Sequence, residues 1–344
     1  MSRWLFVFAF CILPFALSAQ GPSQRPTPGR VETLKAVDGL PAAIVGQFRE
    51  AAGFEQATWG QYVVFDRRGH AVYGIDEDGA SSRQIVQIGG EEGKLIEPRA
   101  FDAAPDGSFA VADAPNGRER IQVFDAGGFR RGGFRLPGQA TARVVLGSLT
   151  LNGVGMLVYT GKSVVLSLPD TGWLLTQFGL LGTPTKTIGR LRPTGHEDDH
   201  ELHLALNAGI AVPDPDGGFY FVFIAGVPEF RKYDADGQLI YERIIQGREI
   251  DPIVAAIPQR WPRRSVNGNE SPLVTPTIRT AALDPKGRLW VSFVVPYTYV
   301  YDADGEKIRT VQFRAAGIVS PASLSFSPKG RLLVTPGCYE FLPD

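Results

Sequence analysis

Two kinds of turn alternate along this chain of 344 residues, and their spacing limits its fold more than any other feature. The first kind closes on a glycine after a short apolar segment and often reads Pro-Asp-Gly or Pro-Lys-Gly. Its glycines are Gly60, Gly107, Gly153, Gly217, Gly287 and Gly330. The second kind reads Asp-x-x-Gly or nearly so, and its glycines are Gly79, Gly128, Gly172, Gly237 and Gly305. Proline presets φ, aspartate caps the turn and glycine takes a positive φ, so both kinds predict hairpin turns between strands.

The distances between these turns predict four short strands in each repeat. A second-kind turn follows a first-kind turn by about 20 residues, which is room for two strands and one loop. First-kind turns recur mostly at intervals of about 40–50 residues, the length of one β-propeller blade. They therefore predict an all-β fold, a six-bladed β-propeller. Two longer intervals predict insertions near residues 182–203 and 247–275, before blades 4 and 5.

The last repeat is incomplete in this sequence. After Gly330 there is room for one strand at Leu332 and another at residues 338–341. An unfilled blade would leave an exposed strand edge, which promotes aggregation. We therefore expect the segment Arg30–Val37 to supply the missing outer strand and to close the ring. On this interpretation residues 31–344 form the propeller and residues 20–30, which contain three prolines, form a linker.

Residues 1–19 have the pattern of a secretory signal peptide. Arg3 supplies the positive start, Trp4–Leu17 is an apolar stretch, and the small residues Ser18 and Ala19 suit cleavage. An uncleaved anchor is the alternative. We expect the protein in the periplasm or outside a bacterial cell. No second long apolar run occurs, so we expect no membrane span after cleavage.

Charge and cysteine content exclude other classes. The formal net charge is −1, so no strong positive field would attract nucleic acid, and we expect no nucleic-acid partner. Of the two cysteines, Cys11 would leave with the signal peptide, and Cys338 would remain without a disulfide partner. We expect Cys338 to be buried and inert, because a lone thiol more often packs as a small hydrophobic group.

One repeat is especially regular and carries a family resemblance. It contains Gly93–Pro98, Phe101–Gly107, the pair Ala112-Asp113 and Arg120–Asp125. It resembles an NHL repeat, and the chain is similar to exported bacterial six-bladed propellers of the NHL-repeat kind. The third repeat, Val144–Gly179, departs from the pattern because it lacks the Pro-x-Gly turn.

The resemblance implies architecture rather than activity, because the motif consists of turn and core residues. NHL-like propellers include protein-binding and RNA-binding modules. Related six-bladed propellers include calcium-dependent lactonases and an amidating lyase.

A literal match to a zinc-protease motif lies in the first insertion. The segment from His196 to His200 reads H-E-x-x-H, and His203 follows. On a helix these three histidines would share one face and hold a metal, with Glu197 as base. The two aspartates between the histidines argue against the buried helix that this motif needs. A non-catalytic divalent metal site stays open, and the other alternative is a solvated acidic loop that leads into a strand at residues 203–207.

The second insertion is predicted to contain a short helix and a binding surface. A helix is expected over Ile250–Pro258, with prolines in its first turn and at its end. The next segment combines one tryptophan with three arginines: Arg260, Trp261, Arg263 and Arg264. An exposed tryptophan beside arginines suits an anionic or aromatic ligand, or a protein partner. The alternative is that Trp261 packs against the ring and the arginines cover the helix end.

The strands predicted to surround the propeller axis carry few reactive groups. Residues 101–104, 210–212, 280–283 and 324–326 are apolar or small, and Asp102 is their only acid. No ring of metal-binding carboxylates and amides is therefore expected. The sequence favours a non-enzymatic binding or scaffold module, a monomer without a cofactor. It would take a protein or small-molecule partner on the face that the two insertions build. The alternative is a lactonase-like hydrolase or an amidating-lyase-like enzyme, with a divalent metal.

Overall fold

A computed structural model of the chain describes residues 30–137, 142–146, 149–152, 154–266 and 269–343. The predicted signal peptide 1–19, residues 20–29 of the predicted linker and the predicted turn glycine Gly153 lie outside the described residues. Most described residues are in strands, and the strands form a β-propeller arrangement.

The chain starts with β1 (Val31–Gly39) and the short helix α1 (Ala42–Val45), which precede a four-stranded sheet. That sheet consists of β2 (Ala51–Gln56), β3 (Tyr62–Asp66), β4 (Ala71–Ile75) and β5 (Ser82–Val86). The next sheet consists of β6 (Ala100–Ala103), β7 (Phe109–Asp113), β8 (Arg120–Phe124) and β9 (Arg130–Arg135). A hairpin follows, made of β10 (Ala142–Leu146) and β11 (Leu149–Asn152). The third sheet of the series consists of β12 (Leu157–Tyr159), β13 (Ser163–Leu166), β14 (Trp173–Gly179) and β15 (Pro184–Arg190).

Helix α2 (His200–Leu206) leads into the fourth sheet of the series. This sheet consists of β16 (Gly209–Pro213), β17 (Phe219–Phe223), β18 (Glu229–Tyr233) and β19 (Leu239–Ile244). Next come helix α3 (Asp251–Ala255) and the hairpin of β20 (Arg263–Val266) and β21 (Asn269–Val274). The last strands are β22 (Ile278–Leu283), β23 (Leu289–Phe293), β24 (Thr298–Tyr301), β25 (Lys307–Arg314), β26 (Ile318–Val319), β27 (Ser323–Phe326), β28 (Leu332–Thr335) and β29 (Tyr339–Phe341). Single 3₁₀ turns occur at Pro115–Gly117 and Pro169–Thr171.

The second strand of each sheet is buried along its whole length, which explains its continuous apolar sequence. In β3, alternate side chains point to opposite faces of the sheet. Val63 and Phe65 belong to a core cluster with Val111 of β7, whereas Val64 belongs to another cluster with Leu333 of β28. The core therefore consists of layers between neighbouring sheets.

The N-terminal strand joins the last two groups of strands. Val31–Lys35 of β1 pair in parallel with β25, and residues 36–39 pair antiparallel with β29. The pairing predicted between the N-terminal segment and residues 338–341 is therefore present. The parallel pairing with β25 was not expected, and it links β22–β26 and β27–β29 into one nine-stranded sheet. The buried guanidinium of Arg309 on β25 also bonds to the Glu32 carboxylate at 2.7 Å.

The innermost strands form a closed ring. We call β2, β6, β12, β16, β22 and β27 the first strands, because each begins a four-stranded sheet or lies at one end of the nine-stranded sheet. Each contacts the next one along the chain, and β27 contacts β2. The hairpin glycines that follow these strands, such as Gly107 with a φ of 77°, have the positive φ that the turn pattern predicts.

The third repeat differs from its prediction. Its first hairpin turn contains Gly161, which has a φ of 80°, and its first strand begins at Leu157. The segments 142–146 and 149–152, which overlap the predicted repeat Val144–Gly179, form a separate hairpin. The prediction was wrong because an alternating hairpin looks the same in sequence whether its partner is the next strand or a distant one.

The two insertions and the separate β10–β11 hairpin together build a second structure, which we call the cap: strands β10, β11, β20 and β21 with helix α2. Val145 and Leu146 of β10 pair in parallel with Leu273 and Val274 of β21, and α2 packs on both strands. The first insertion starts later than predicted, because residues 184–190 belong to the regular strand β15.

Helices α2 and α3 differ in position or length from the elements predicted from sequence. The helix predicted over Ile250–Pro258 is present but shorter, as α3. Residues 203–207 were expected to begin a strand, yet residues 203–206 lie in α2, whose Leu202, Ala205 and Leu206 face the cap core. None of the helices in the described ranges is long and apolar enough to span a bilayer.

Candidate functional site

The first strands enclose a central channel of about 1150 Å³. Its walls have slightly more apolar than polar surface, and Phe54, Phe101, Ile210 and Leu324 are among the apolar lining residues. We call the end where each first strand enters its hairpin turn the turn side. The opposite end, where α2 and the β20–β21 hairpin enter before their first strands, is the insertion side. Charged groups lie at both ends.

One layer of the channel lies near the turn side. Each first strand ends at a residue whose amide bonds across the hairpin, such as Ala57, Ala104 and Ser327. The residues two positions earlier occupy equivalent places: Glu55, Asp102, Val158, Val212, Ala282 and Ser325. All of these residues line the channel, and we call them the turn-side layer.

The polar members of this layer bridge neighbouring first strands. The amide of Ala103 donates to Glu55 Oε2 at 3.0 Å, and the amide of Tyr159 donates to Asp102 Oδ2 at 2.6 Å. The Ser325 hydroxyl donates to the Phe54 carbonyl at 2.6 Å. The channel-facing edge of a first strand has no strand partner, so these side chains satisfy backbone groups that would otherwise need water.

The two carboxyl groups lie close enough to influence each other. Burial raises the pKa of Asp102 to about 7, against the opposing effect of the Tyr159 and Ala103 amides. Burial raises the pKa of Glu55 well above its usual range, and the charge of Asp102 raises it further. Both groups are therefore held toward the neutral form, in which a carboxyl donates as well as accepts. Carboxyl groups with raised pKa values inside a cavity are typical of functional sites.

The insertion side of the channel carries positive charge. Arg67, Arg99 and Arg279 line it together with Glu97. Arg67 forms an ion pair with Glu50, and the Arg99 guanidinium lies 3.6 Å from the Glu97 carboxylate.

The histidines of the zinc-protease motif do not share a helical face. Helix α2 begins at His200, and the Asp199 side chain caps it by accepting from the Leu202 amide. His196 precedes the helix, and His203 Nδ1 lies 2.8 Å from the Thr194 hydroxyl. Within the described ranges, no group of three or more His, Cys, Asp or Glu side chains is placed to hold a metal ion. Because His196 lies outside α2, the three histidines do not share a helical face, and metal binding by His196, His200 and His203 stays a prediction.

The arginines and tryptophan predicted to bind a partner lie on the cap. Trp261 is half-buried and packs against the cluster that contains Leu202 and Val274. Arg263 pairs with Asp199, and Arg260 and Arg264 are exposed. These four residues do not line the channel. Partner binding by them stays a prediction.

Cys338, which was expected to be buried and inert, lies beside β29 where the ring closes. Cys338 is fully buried, and burial raises the pKa of its thiol to about 12. The thiolate is the reactive form, so this environment disfavours reactivity.

Sequence reasoning noted Asp102 but missed Glu55 as its partner. A usable signal was present: both acids stand at the same offset ahead of a first-kind turn glycine, Gly60 for one and Gly107 for the other. Arg99 and Arg279 likewise share one offset ahead of their turn glycines.

Comparisons with known proteins show the fold and no closer kinship. No family model matches the chain, and no curated protein matches it. Among solved structures, a streptogramin B lyase aligns with a TM-score of 0.51 and 11% identity over 84% of this chain and 76% of that chain. A gluconolactonase from Xanthomonas campestris gives 0.49 and 16% over 88% of this chain and 93% of that chain. A hydrazine synthase from Kuenenia stuttgartiensis gives 0.48 and 11% over 83% and 92%. These are β-propeller proteins. The likeness to the lyase, the one of these three with a TM-score above 0.5, shows the β-propeller fold alone.

Proposed function

We propose that the chain is an exported six-bladed β-propeller, with blades of the NHL-repeat kind, that binds a small organic ligand in its central channel. The closed cycle of first strands supports the count of blades, with β1 bridging the last two. The apolar stretch in residues 1–19 supports export. The ligand site lies in the channel rather than on the cap.

The observation that carries this proposal is the lining of the channel. Ligand sites are typically concave and apolar, with a few polar groups converging on one place. Here the apolar wall is interrupted on the turn side by Glu55, Asp102 and Ser325, and raised pKa values mark both carboxyl groups. A neutral carboxyl in such a wall offers a strong hydrogen bond to a hydroxyl or carbonyl of a ligand.

A bulky side chain in the channel tests the proposal. Ala322 is exposed and lines the channel, so Ala322→Trp should obstruct its insertion-side end without disturbing the core. Ala303→Trp, on an exposed outer turn, is the matched control. In a thermal-shift screen of small organic acids, alcohols, lactones and amines, hits should stabilise the unmodified protein and the control. The same compounds should leave the melting temperature of Ala322→Trp unchanged. A screen without hits, or hits that persist in Ala322→Trp, would refute channel binding.

An enzyme is the second candidate, and the raised pKa of Asp102 favours it. A carboxyl that titrates near pH 7 is suited to general acid–base catalysis. The reaction class would be hydrolysis or elimination on a lactone or ester. Asp102→Asn should then abolish turnover while the thermal shift by the same compound persists. Metal analysis of the purified protein checks the divalent-metal alternative at the same time.

A further inference from the structure

A second layer of the channel contains two arginines among very small residues. Three positions ahead of the turn-side layer, the first strands and the segments that lead into them carry Ala52, Arg99, Gly155, Gly209, Arg279 and Ala322. All of them line the channel, and we call them the arginine layer. Four positions with one side-chain carbon or none leave room for two long guanidinium groups.

The two arginines belong to opposite sides of the ring. Arg279 lies on β22, and Arg99 immediately precedes β6. In the closed cycle of first strands, β12 and β16 separate these two strands on one side, and β27 and β2 separate them on the other. Their side chains therefore enter the channel from opposite walls.

A β-bulge directs Arg279 toward the channel. The pairing of β22 with β23 shifts register between Ile278 and Thr280, so Arg279 is the extra residue of a bulge. Bulges redirect side chains and occur often beside functional sites. Arg279 is exposed within the channel, and it forms no ion pair with any residue in the described ranges.

The charge of Arg99 is only weakly compensated. Its partner, the Glu97 carboxylate, lies 3.6 Å away on a side chain that is 59% exposed. A long ion pair in which one partner is exposed to water is weak, so an incoming anion can compete with Glu97. By contrast Arg67, also at this end, is held by Glu50 through two hydrogen bonds.

We propose that Arg99 and Arg279 hold the anionic group, a carboxylate or a phosphate, of the ligand that the channel binds. This inference rests on the proposed function. Guanidinium groups bind carboxylate and phosphate through paired hydrogen bonds, and they do so more strongly away from bulk water. Three residues of strand separate the two layers, a distance of roughly 10 Å. The ligand therefore carries its anion at one end and a hydroxyl or carbonyl about 10 Å away, toward Glu55 and Asp102.

Three probes with one body and different head groups test this assignment by calorimetry: hexanoate, hexyl phosphate and 1-hexanol. At least one anionic probe should bind about tenfold more tightly than hexanol. Arg279→Met or Arg99→Met should weaken that probe about tenfold and leave hexanol binding unchanged. Arg83→Met, on the exposed outer strand β5, is the control and should change nothing. The tighter of the two anionic probes identifies the head group.

Each contrary outcome identifies what fails. Equal affinity for hexanol and both anions would overturn the anion assignment and leave channel binding intact. Unchanged anion affinity in both Arg99→Met and Arg279→Met would also overturn the anion assignment and leave channel binding intact. If none of the three probes binds the unmodified protein, channel binding itself fails, and the anion assignment fails with it.

Discussion

The ring of repeated sheets and the cap are held together in different ways. In the ring, apart from β1, each sheet pairs strands that are neighbours in sequence, and strands such as β3 and β17 are buried throughout. In the cap, the pairing of Val145 with Leu273 joins distant parts of the chain. The buried side chains of its core cluster are Leu202, Ala205, Leu206, Ala225 and Val274, with Trp261 at its edge.

This difference indicates where stability and adaptability lie. A closed ring has no free first strand, so disturbing one sheet affects its neighbours on both sides. Among the residues that the structure describes, the core cluster of the cap is small, and regions with few buried contacts open at lower free energy than the rest of a protein. We therefore expect the ring to unfold as one unit, and the cap to loosen without unfolding the ring.

Removing β1 should have the largest effect on this comparison. Deletion of residues 30–39 exposes the edges of β25 and β29 together and removes the ion pair between Glu32 and Arg309. We expect the melting temperature in a thermal unfolding scan to fall by more than about 10 °C. Lys35→Ala, an exposed side chain on the same strand, should leave it unchanged. A deletion variant that melts like the intact protein would show that the ring does not depend on β1.

Arg192 connects the ring to the first insertion and should have the next largest effect. Its buried guanidinium donates to the carbonyls of Leu206, Ala225 and Val227 and pairs with Glu229. Arg192→Met leaves these acceptors unpaired, so we expect a loss of about 3 kcal/mol in urea unfolding.

Arg83, which is exposed on β5, is the control for this measurement. Arg83→Met should cost less than about 0.5 kcal/mol. An equal loss in both variants would mean that the connection to the insertion contributes nothing specific.

Asp102 should make the stability of the ring depend on pH. Its pKa in the folded protein, about 7, lies above that of an unfolded aspartate, so its ionisation opposes folding. The stability that Asp102 contributes is therefore fully present below about pH 4 and is lost as pH rises from about 4 to about 7. The Asp102→Asn variant cannot ionise at this position, but its side chain still accepts the Tyr159 amide. The melting temperature of the variant minus that of the unmodified protein should therefore rise by a few °C between about pH 5 and about pH 8.

A matched variant removes an acid outside the channel. Asp216→Asn, at an exposed hairpin turn, should give the same difference from the unmodified protein at both pH values. If Asp102→Asn also shows a constant difference, the carboxyl is ionised throughout and the account of the channel changes.

Trp261→Ala should have the smallest effect on the ring. Trp261 packs on the cap cluster, so its loss should speed hydrogen exchange in α2 and β21. The melting temperature should change by less than about 2 °C. Binding of a channel ligand should be unaffected. Loss of a protein partner in a protein that stays folded would instead support the predicted surface of Arg260, Trp261, Arg263 and Arg264.

The repeat could be predicted because its signals are local. The turn at Gly107, the buried strand Phe109–Asp113 and the strand that ends before Asp125 each follow from a few adjacent residues. The N-terminal closure followed from a count of strands in the last repeat. The third repeat was misassigned because Leu157–Tyr159 is short and its turn at Gly161 lacks proline.

The candidate site was only half visible in the sequence. Asp102 stood out as an acid on an otherwise apolar strand, but nothing near it in sequence indicated Glu55. The H-E-x-x-H match from His196 to His200 spans the point where a loop ends and Asp199 caps helix α2. A motif shows which residue types are present, whereas the backbone decides whether they share a face.

By itself, the sequence determined the alternation of strands and turns, because φ preferences and apolar alternation act over a few residues. Only the tertiary structure decided that Glu55 meets Asp102 and that Arg99 and Arg279 enter the channel from opposite walls. These pairs lie in different sheets, and ring closure alone brings their first strands to one axis. Such contacts depend on the rotation from each sheet to the next, which is set by packing between whole sheets and not by any local run of residues.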